Sequence, residues 1–253
     1  MLRLDRPRSG TILLVAALAL PLASPAHPAD WYTGAPAAKA QDDWIVSLDA
    51  STTVTSNNSI FAGAGGTAAI NGTLRESGVR AKVEALAGTY EYSTDKGVKV
   101  QGEQVEGAAL LGYEWIWREA KLAGYVGLAV RNTSLSIADP ANPVLGASLG
   151  LKTAVDFYAR PTGKTMVSAY GSFTSNDKAY FTRFKAGYRI GDGVYLGPEV
   201  AFLGNDFYNQ WRVGAHLTGL QLGPMQASLS AGYQFDREQK AGAYGAVDVR
   251  TQF

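Results

Sequence analysis

The 253-residue chain has no cysteine, only two histidines and no excess of charge of either sign. Without cysteine there is no disulfide scaffold, thiolate metal site, iron–sulfur ligation or cysteine nucleophile. Lys and Arg total 23 against 22 Asp and Glu, so the strongly basic face of a nucleic-acid binder is missing. Long hydrophobic runs are also scarce. Beyond the N-terminal region the closest candidate, Gly107 to Trp117, is short and contains Glu114, which excludes multi-helix membrane architectures. The mean hydropathy of −0.07 resembles that of a soluble protein, but an average discards the order of residues.

The N-terminus reads as a signal peptide over residues 1–29. Arg3, Arg6 and Arg8 precede an apolar stretch, Ile12 to Ala23, followed by small residues at Ser24, Ala26 and Ala29. That run is too short to span ~30 Å of hydrocarbon as a helix. Its removal takes away three Arg and one Asp and moves the formal charge from +1 to −1. It also leaves His216 as the one remaining histidine. Residues 30–42, rich in Ala and Pro, read as an extended lead-in to a domain over 43–253.

That domain alternates with a period of two. From Ala147, the residues Ala147, Leu149, Leu151, Val155 and Phe157 face Ser148, Lys152, Asp156 and Tyr158. The segments from Met225 and from Tyr180 repeat the pattern. A period of two over ten or more residues makes a β-strand with one apolar and one polar face. The rule predicts about twelve strands, near 43–55, 58–70, 76–92, 98–117, 121–135, 145–160, 164–175, 178–190, 193–204, 209–222, 224–236 and 242–253. Facing is ambiguous in the second, because IFAGAGGTAAI consists largely of small residues. Turn signals such as Asn71-Gly72, Gly191-Asp192-Gly193 and Gly223-Pro224 separate neighbours, which should therefore pair antiparallel.

Strands of this length exceed the typical 5–6 residues and match the roughly 9–11 that a tilted membrane-spanning strand needs. Trp44, Tyr113, Trp115, Trp117, Phe157, Trp211, Tyr233 and Phe235 fall on apolar faces near strand ends, as in interfacial girdles. The last strand ends on Phe253, similar to the assembly signal of bacterial outer-membrane barrels. The predicted fold is all-β: a single antiparallel up-and-down outer-membrane β-barrel. Such a barrel meets outer-membrane lipid on its outside.

The polar faces should then line the lumen. They carry Glu106, Glu114, Arg131, Asp156, Arg183, Glu199 and Arg212 among other charges of both signs, joined by Tyr90, Tyr125, Tyr158, Tyr170, Tyr195 and Tyr244. Two readings stay open: paired charges that fill a narrow lumen, or a hydrated passage whose phenols suit a neutral glycan better than an ion. The turn Gly204 to Asn209, with Asp206 and Tyr208, is either a rim turn packed by its aromatics or a docking site for glucan or a partner. His216 shares the polar parity of Arg212 and Thr218. Parity places it inside, as a hydrogen-bonded lumen residue rather than the base of a lipid hydrolase. One histidine with no acidic cluster at ligand spacing gives no metal site, and no Gly-rich stretch precedes a helix, so no cofactor is expected.

Several stretches resemble a known family. Asn205 to Gly214 with His216-Leu217-Thr218-Gly219 is one, and Glu106-Gly107 followed by Gly112-Tyr113-Glu114-Trp115 is another. Asp156-Phe157-Tyr158-Ala159, Ala241 to Phe253, Trp31 to Gly34 and Arg75 to Arg80 add to them. Together they resemble the cellulose biosynthesis protein BcsS family. The resemblance implies an exported bacterial protein associated with cellulose production, with cellulose glucan and other secretion components as partners and no catalytic set to carry over. The expected function is a non-enzymatic outer-membrane barrel that supports cellulose biosynthesis or export. Its alternatives are an outer-membrane enzyme acting on lipid or glycan, and a secreted soluble carbohydrate-binding β-protein.

Overall fold

The structure, a computed structural model, describes residues 45–94, 96–236 and 241–253. The expected signal peptide, the lead-in and Trp44 lie outside the described residues. Twelve strands form a closed antiparallel barrel in which each pairs with its neighbours in sequence. They are β1 (Val46–Thr55), β2 (Ser59–Ala69), β3 (Gly78–Ser93), β4 (Lys99–Ile116), β5 (Ala120–Leu135), β6 (Gly146–Thr162), β7 (Thr165–Thr174), β8 (Ala179–Arg189), β9 (Tyr195–Gly204), β10 (Asn209–Leu222), β11 (Met225–Asp236) and β12 (Gly242–Gln252). Closure is made by β1 against β12, from Ser47↔Gln252 to Thr55↔Tyr244. Phe253 extends it, its amide donating to the Val46 carbonyl at 2.9 Å. A closed barrel leaves no strand edge unpaired, which is what lipid demands of a backbone.

Alternation produces the two faces. Val83, Leu111, Leu128, Leu149, Leu151 and Val155 point outward, each exposed. A belt of this size would be an aggregation patch in water and is ordinary against lipid. Two aromatic bands bound it. Tyr113, Trp115, Trp117 and Tyr188 are exposed at the end where β1 begins and β12 finishes, here the terminal end. Phe173, Tyr180, Phe202, Trp211 and Tyr233 are exposed near the opposite, distal end, where Trp211 stacks on Phe235 at 4.2 Å. From Tyr180 to Tyr188 is roughly 26 Å of strand, or about 20 Å of membrane normal at a ~40° tilt. That is the scale of the ~25 Å apolar band of outer-membrane barrels.

The wall has uneven height. β3 to β6 are 16 to 18 residues long, whereas β7 to β9 have 10 or 11. On the distal side the extra length turns polar outward, with Lys99, Gln101 and Glu103 on β4 and Asn132 and Ser134 on β5 all exposed. These strands therefore project past the apolar belt beside the distal mouth. The connection 136–145 folds back inward, burying Asn142 and Val144. One irregularity interrupts β10, a register shift between Thr218 and Leu220. Gly219 sits there at φ +92, 1.9 Å from the Gly193 carbonyl for any added Cβ, so no side chain fits.

Candidate functional site

A twelve-strand barrel is wider than the eight-strand barrels whose interiors ordinary side chains just fill. Long polar side chains close the gap here by meeting across the lumen. At the terminal end the β2–β3 connection tucks under the barrel and buries Leu74. Arg80, fully buried, donates to Glu114 at 2.7 Å, to the Asn71 side chain at 2.6 Å and to the Glu76 carbonyl at 2.5 Å. Tyr158, Met166 and Tyr195 pack together in the same terminal part of the barrel.

His216 belongs to the same filled half, 1% exposed. Its Nε2 lies 3.2 Å from the Ala186 carbonyl, which can only accept, so Nε2 carries the proton. Nδ1 then accepts from the Thr218 hydroxyl at 2.8 Å. Ser228 donates to Thr218 at 2.9 Å, and Lys185 donates to Ser228 at 3.0 Å. Both imidazole nitrogens are engaged in this chain, and the Nδ1 lone pair points at the Thr218 hydroxyl inside the packed wall, where the residue is 1% exposed.

Higher in the lumen the charges form two networks. One is a ladder of alternating sign: Asp156 to Lys82 at 3.4 Å, Lys82 to Glu84 at 2.9 Å, Glu84 to Lys152 and Lys152 to Glu106 at 2.8 Å each. It continues through Arg131, paired with Glu106, to Asp177 at 3.6 Å. Lys82 also sits 5.1 and 5.3 Å from the Tyr125 and Tyr170 rings. The second network joins Arg183 to Glu199 and Asp248 at 2.9 and 3.0 Å, with Lys185 at 3.6 and 3.4 Å from the same two acids. Tyr244 donates to Glu199 at 3.1 Å. Its ring lies 5.4 Å from the Arg212 guanidinium, which also donates to Gln210 at 3.0 and 3.2 Å.

Alongside these networks a cavity of about 350 Å³ runs from a floor at Asp49, Lys82 and Asp248 to a rim at Asn57, Asn142 and Tyr208. Its volume comes from the middle of β1 and β2, where Ser51, Thr53, Gly63 and similar small groups face the lumen. Two aromatic pairs bound this space. Phe61 and Tyr90 stack at 6.5 Å on β2 and β3, and Tyr170 and Phe181 pack at 5.8 Å on β7 and β8. Tyr90 stacks on Tyr92, and Tyr92 meets Phe207 edge-on at 5.2 Å. In the ring of strands β3 and β9 are diametrically opposed, so the Tyr92–Phe207 contact crosses the mouth. Tyr92 is held by Asp139 at 2.8 Å and Asn142 at 3.2 Å.

The candidate residues thus divide by height. Tyr90, Glu106, Arg131, Tyr170, Arg183, Tyr208 and Arg212 line the cavity. Asp156, Glu199 and Tyr244 are buried in the networks beside it, while Glu114, Tyr125, Tyr158, Tyr195 and His216 pack in the wall below. Asp206 stands at the rim, 2.9 Å from Lys178, its amide donating to the Asp177 carbonyl. Burial first, and the Asp236 carboxylate after it, raise the Tyr208 phenol above its ordinary pKa. Phe61, Tyr92, Phe181 and Phe207 were not among the candidates. Their signal was an aromatic ring at an inward or rim position. Among the described residues no cluster of His, Asp and Glu could hold a metal.

A lipid-facing belt, a closed ring of strands and a lumen filled by its own wall define an outer-membrane-type β-barrel with a blind cavity at one end. The chain belongs to the cellulose biosynthesis protein BcsS family, which matches residues 51–253. No curated protein matches it. Among solved structures it is similar to the TodX deltaS2S3 mutant monoaromatic hydrocarbon channel, 9% identical over 85% of this chain and 91% of that one, with a TM-score of 0.50. The COG4313 outer membrane channel from Pseudomonas putida F1 is 14% identical over 83% and 96%, TM-score 0.49. The KdgM porin is 10% identical over 82% and 99%, TM-score 0.41. Such likenesses concern the fold alone.

Proposed function

We propose that the protein is a non-enzymatic barrel of the bacterial outer membrane that supports cellulose biosynthesis as a closed docking element, not as a conduit for the polymer. The observation that carries this reading is the filled lumen. Below the cavity, Arg80, Tyr195, Met166, His216 and Gln226 are each at most 1% exposed, and a glucan chain has no path between them. The burial of His216, 1% exposed below the cavity, supports a role without base catalysis, since no substrate reaches its imidazole. The apolar belt supports a lipid environment over the soluble alternative.

Planar bilayers test the reading. The full-length barrel, checked for insertion by its heat-modifiable migration from the outer-membrane fraction, should give no sustained conductance steps in sodium chloride. Stable steps with sugar-permeable swelling of liposomes would instead make it a channel. Cells carrying His216→Ala should produce as much cellulose per folded barrel as the parent. A loss of output at equal abundance would restore the enzyme reading.

A further inference from the structure

We infer that the distal cavity holds the free end of a neutral β-linked glucan, about two sugar rings deep, between the Phe61–Tyr90 pair and the Tyr170–Phe181 pair. The inference rests on the cellulose-linked reading above and names the ligand and its manner of binding.

Four features of the cavity lead to it. The first is size: about 350 Å³ lies at the low end of the ~300–1,000 Å³ of pockets that enclose small molecules. That admits a disaccharide and not a length of chain. The second is the blind floor of ion-paired side chains at Asp49, Lys82 and Asp248. A polymer cannot thread through, so what enters must be an end. The third is charge. Five cationic side chains and six carboxylates line the cavity, and Lys82, Lys152, Arg131 and Arg183 are all held in ion pairs. A charged sugar would have to break those pairs, whereas a neutral one can use their remaining lone pairs and protons.

The fourth is the arrangement of rings and amides. β2 and β8 are diametrically opposed in the barrel, so Phe61 and Phe181, each with its tyrosine neighbour, approach the cavity from opposite walls. Flat sugar rings present C–H faces to such aromatics and hydroxyl rims to the polar groups between them. Gln234, which lines the cavity and is 1% exposed, has a side-chain carbonyl with no hydrogen-bond partner among the described residues. A buried unsatisfied acceptor costs stability unless something donates to it, and a rotation of this lining amide would bring it to a sugar hydroxyl. The Tyr92–Phe207 contact covers the mouth, and a ligand displaces it on entering.

Isothermal titration of the full-length barrel in detergent with cello-oligosaccharides of two to six units tests the inference. Cellobiose should bind at one site per barrel, and affinity per mole of oligosaccharide should stay within about threefold as the chain lengthens, because each chain offers one such end. Tyr170→Ala and Gln234→Ala should each weaken binding at least tenfold. Gly63→Met should also weaken it by filling the cavity, since a Cβ there meets only the Ser51 hydroxyl closely, at 3.1 Å. Heat-modifiable migration confirms that each variant folds. Affinity that climbs steadily with length would mean lateral binding along the chain and would overturn the inference. Tighter binding of oligogalacturonate than of cello-oligosaccharide would overturn its neutrality. Absence of any binding by a barrel that is also non-conducting would overturn the end site and leave the closed-barrel reading standing.

Discussion

Lys152 sits 2.8 Å from two carboxylates, Glu84 and Glu106, at a point where its own side chain is 9% exposed. Its ammonium is what makes two buried acids tolerable on neighbouring strands. Replacing it with methionine keeps much of the volume and leaves both acids short of a partner. Removing one member of a buried ion pair costs about 3–5 kcal/mol when the other is left uncompensated. Glu84 keeps Lys82 and Glu106 keeps Arg131, so Lys152→Met should lower the equilibrium unfolding free energy in detergent by about 1.5–3 kcal/mol. Adding Glu106→Gln should recover part of the loss, because the second acid no longer carries charge. A change under ~1 kcal/mol for the single variant would mean that the ladder is solvated. Lys99 and Glu91 make an ion pair of the same 2.8 Å length near the top of the projecting wall. Exposed as it is, that pair should contribute little to stability, so Lys99→Ala serves as the control.

Among the strands, period two made inside and outside legible over nearly the whole barrel. The expected eighth strand, 178–190, forms as Ala179–Arg189 with Tyr180, Phe184 and Tyr188 outward. β2 was ambiguous for a physical reason: alternating Gly and Ala carry almost no contrast between faces. It forms at Ser59–Ala69, and the small side chains that hid its facing give the cavity its room. Parity also says nothing about height. Tyr125 and Tyr170 look alike in sequence and pack in one cluster, yet only Tyr170 lines the cavity. Strand tilt and stagger decide this by joining residues as distant as Lys82 and Asp156. The outward face can be checked directly. Val155, outward on β6 and paired with Gly171 inside the distal aromatic band, should cost about 2–4 kcal/mol as Val155→Arg, whereas Asn132→Arg on the projecting part of β5 should cost ~0–1 kcal/mol. Equal costs in folding titrations into lipid would displace the membrane boundary drawn here. At the rim, the Asp206–Lys178 pair ties the β9–β10 turn to the β7–β8 turn, and Tyr208 lines the cavity mouth. Asp206→Ala combined with Tyr208→Ala should lower extracellular cellulose without lowering barrel abundance; normal output would remove the docking role from this turn.

For the molecule as a whole, the decisive property is that the obstruction is built from the wall itself. Some barrels are blocked by one loop or helix, and deleting that element opens them. Here the group around Arg80 and Glu114, the packed Tyr158–Met166–Tyr195 group, the His216 chain and the two charge networks all contribute to the obstruction. Each is made of side chains from several strands, so no single layer is the barrier. Truncating one network member of each sign on both sides, as Lys82→Ser, Glu84→Ser, Arg183→Ser and Asp248→Ser together, removes two positive and two negative charges and leaves the net charge unchanged. The cavity should deepen, and the folded variant should accept a longer oligosaccharide end than the parent. Planar bilayers should still record no sustained current, because Tyr195, Met166 and His216 remain buried below. Stable conductance in this variant would show that the charged layer alone seals the lumen. The lower packing would then be permeable, and a conducting state would need only a rearrangement of four side chains.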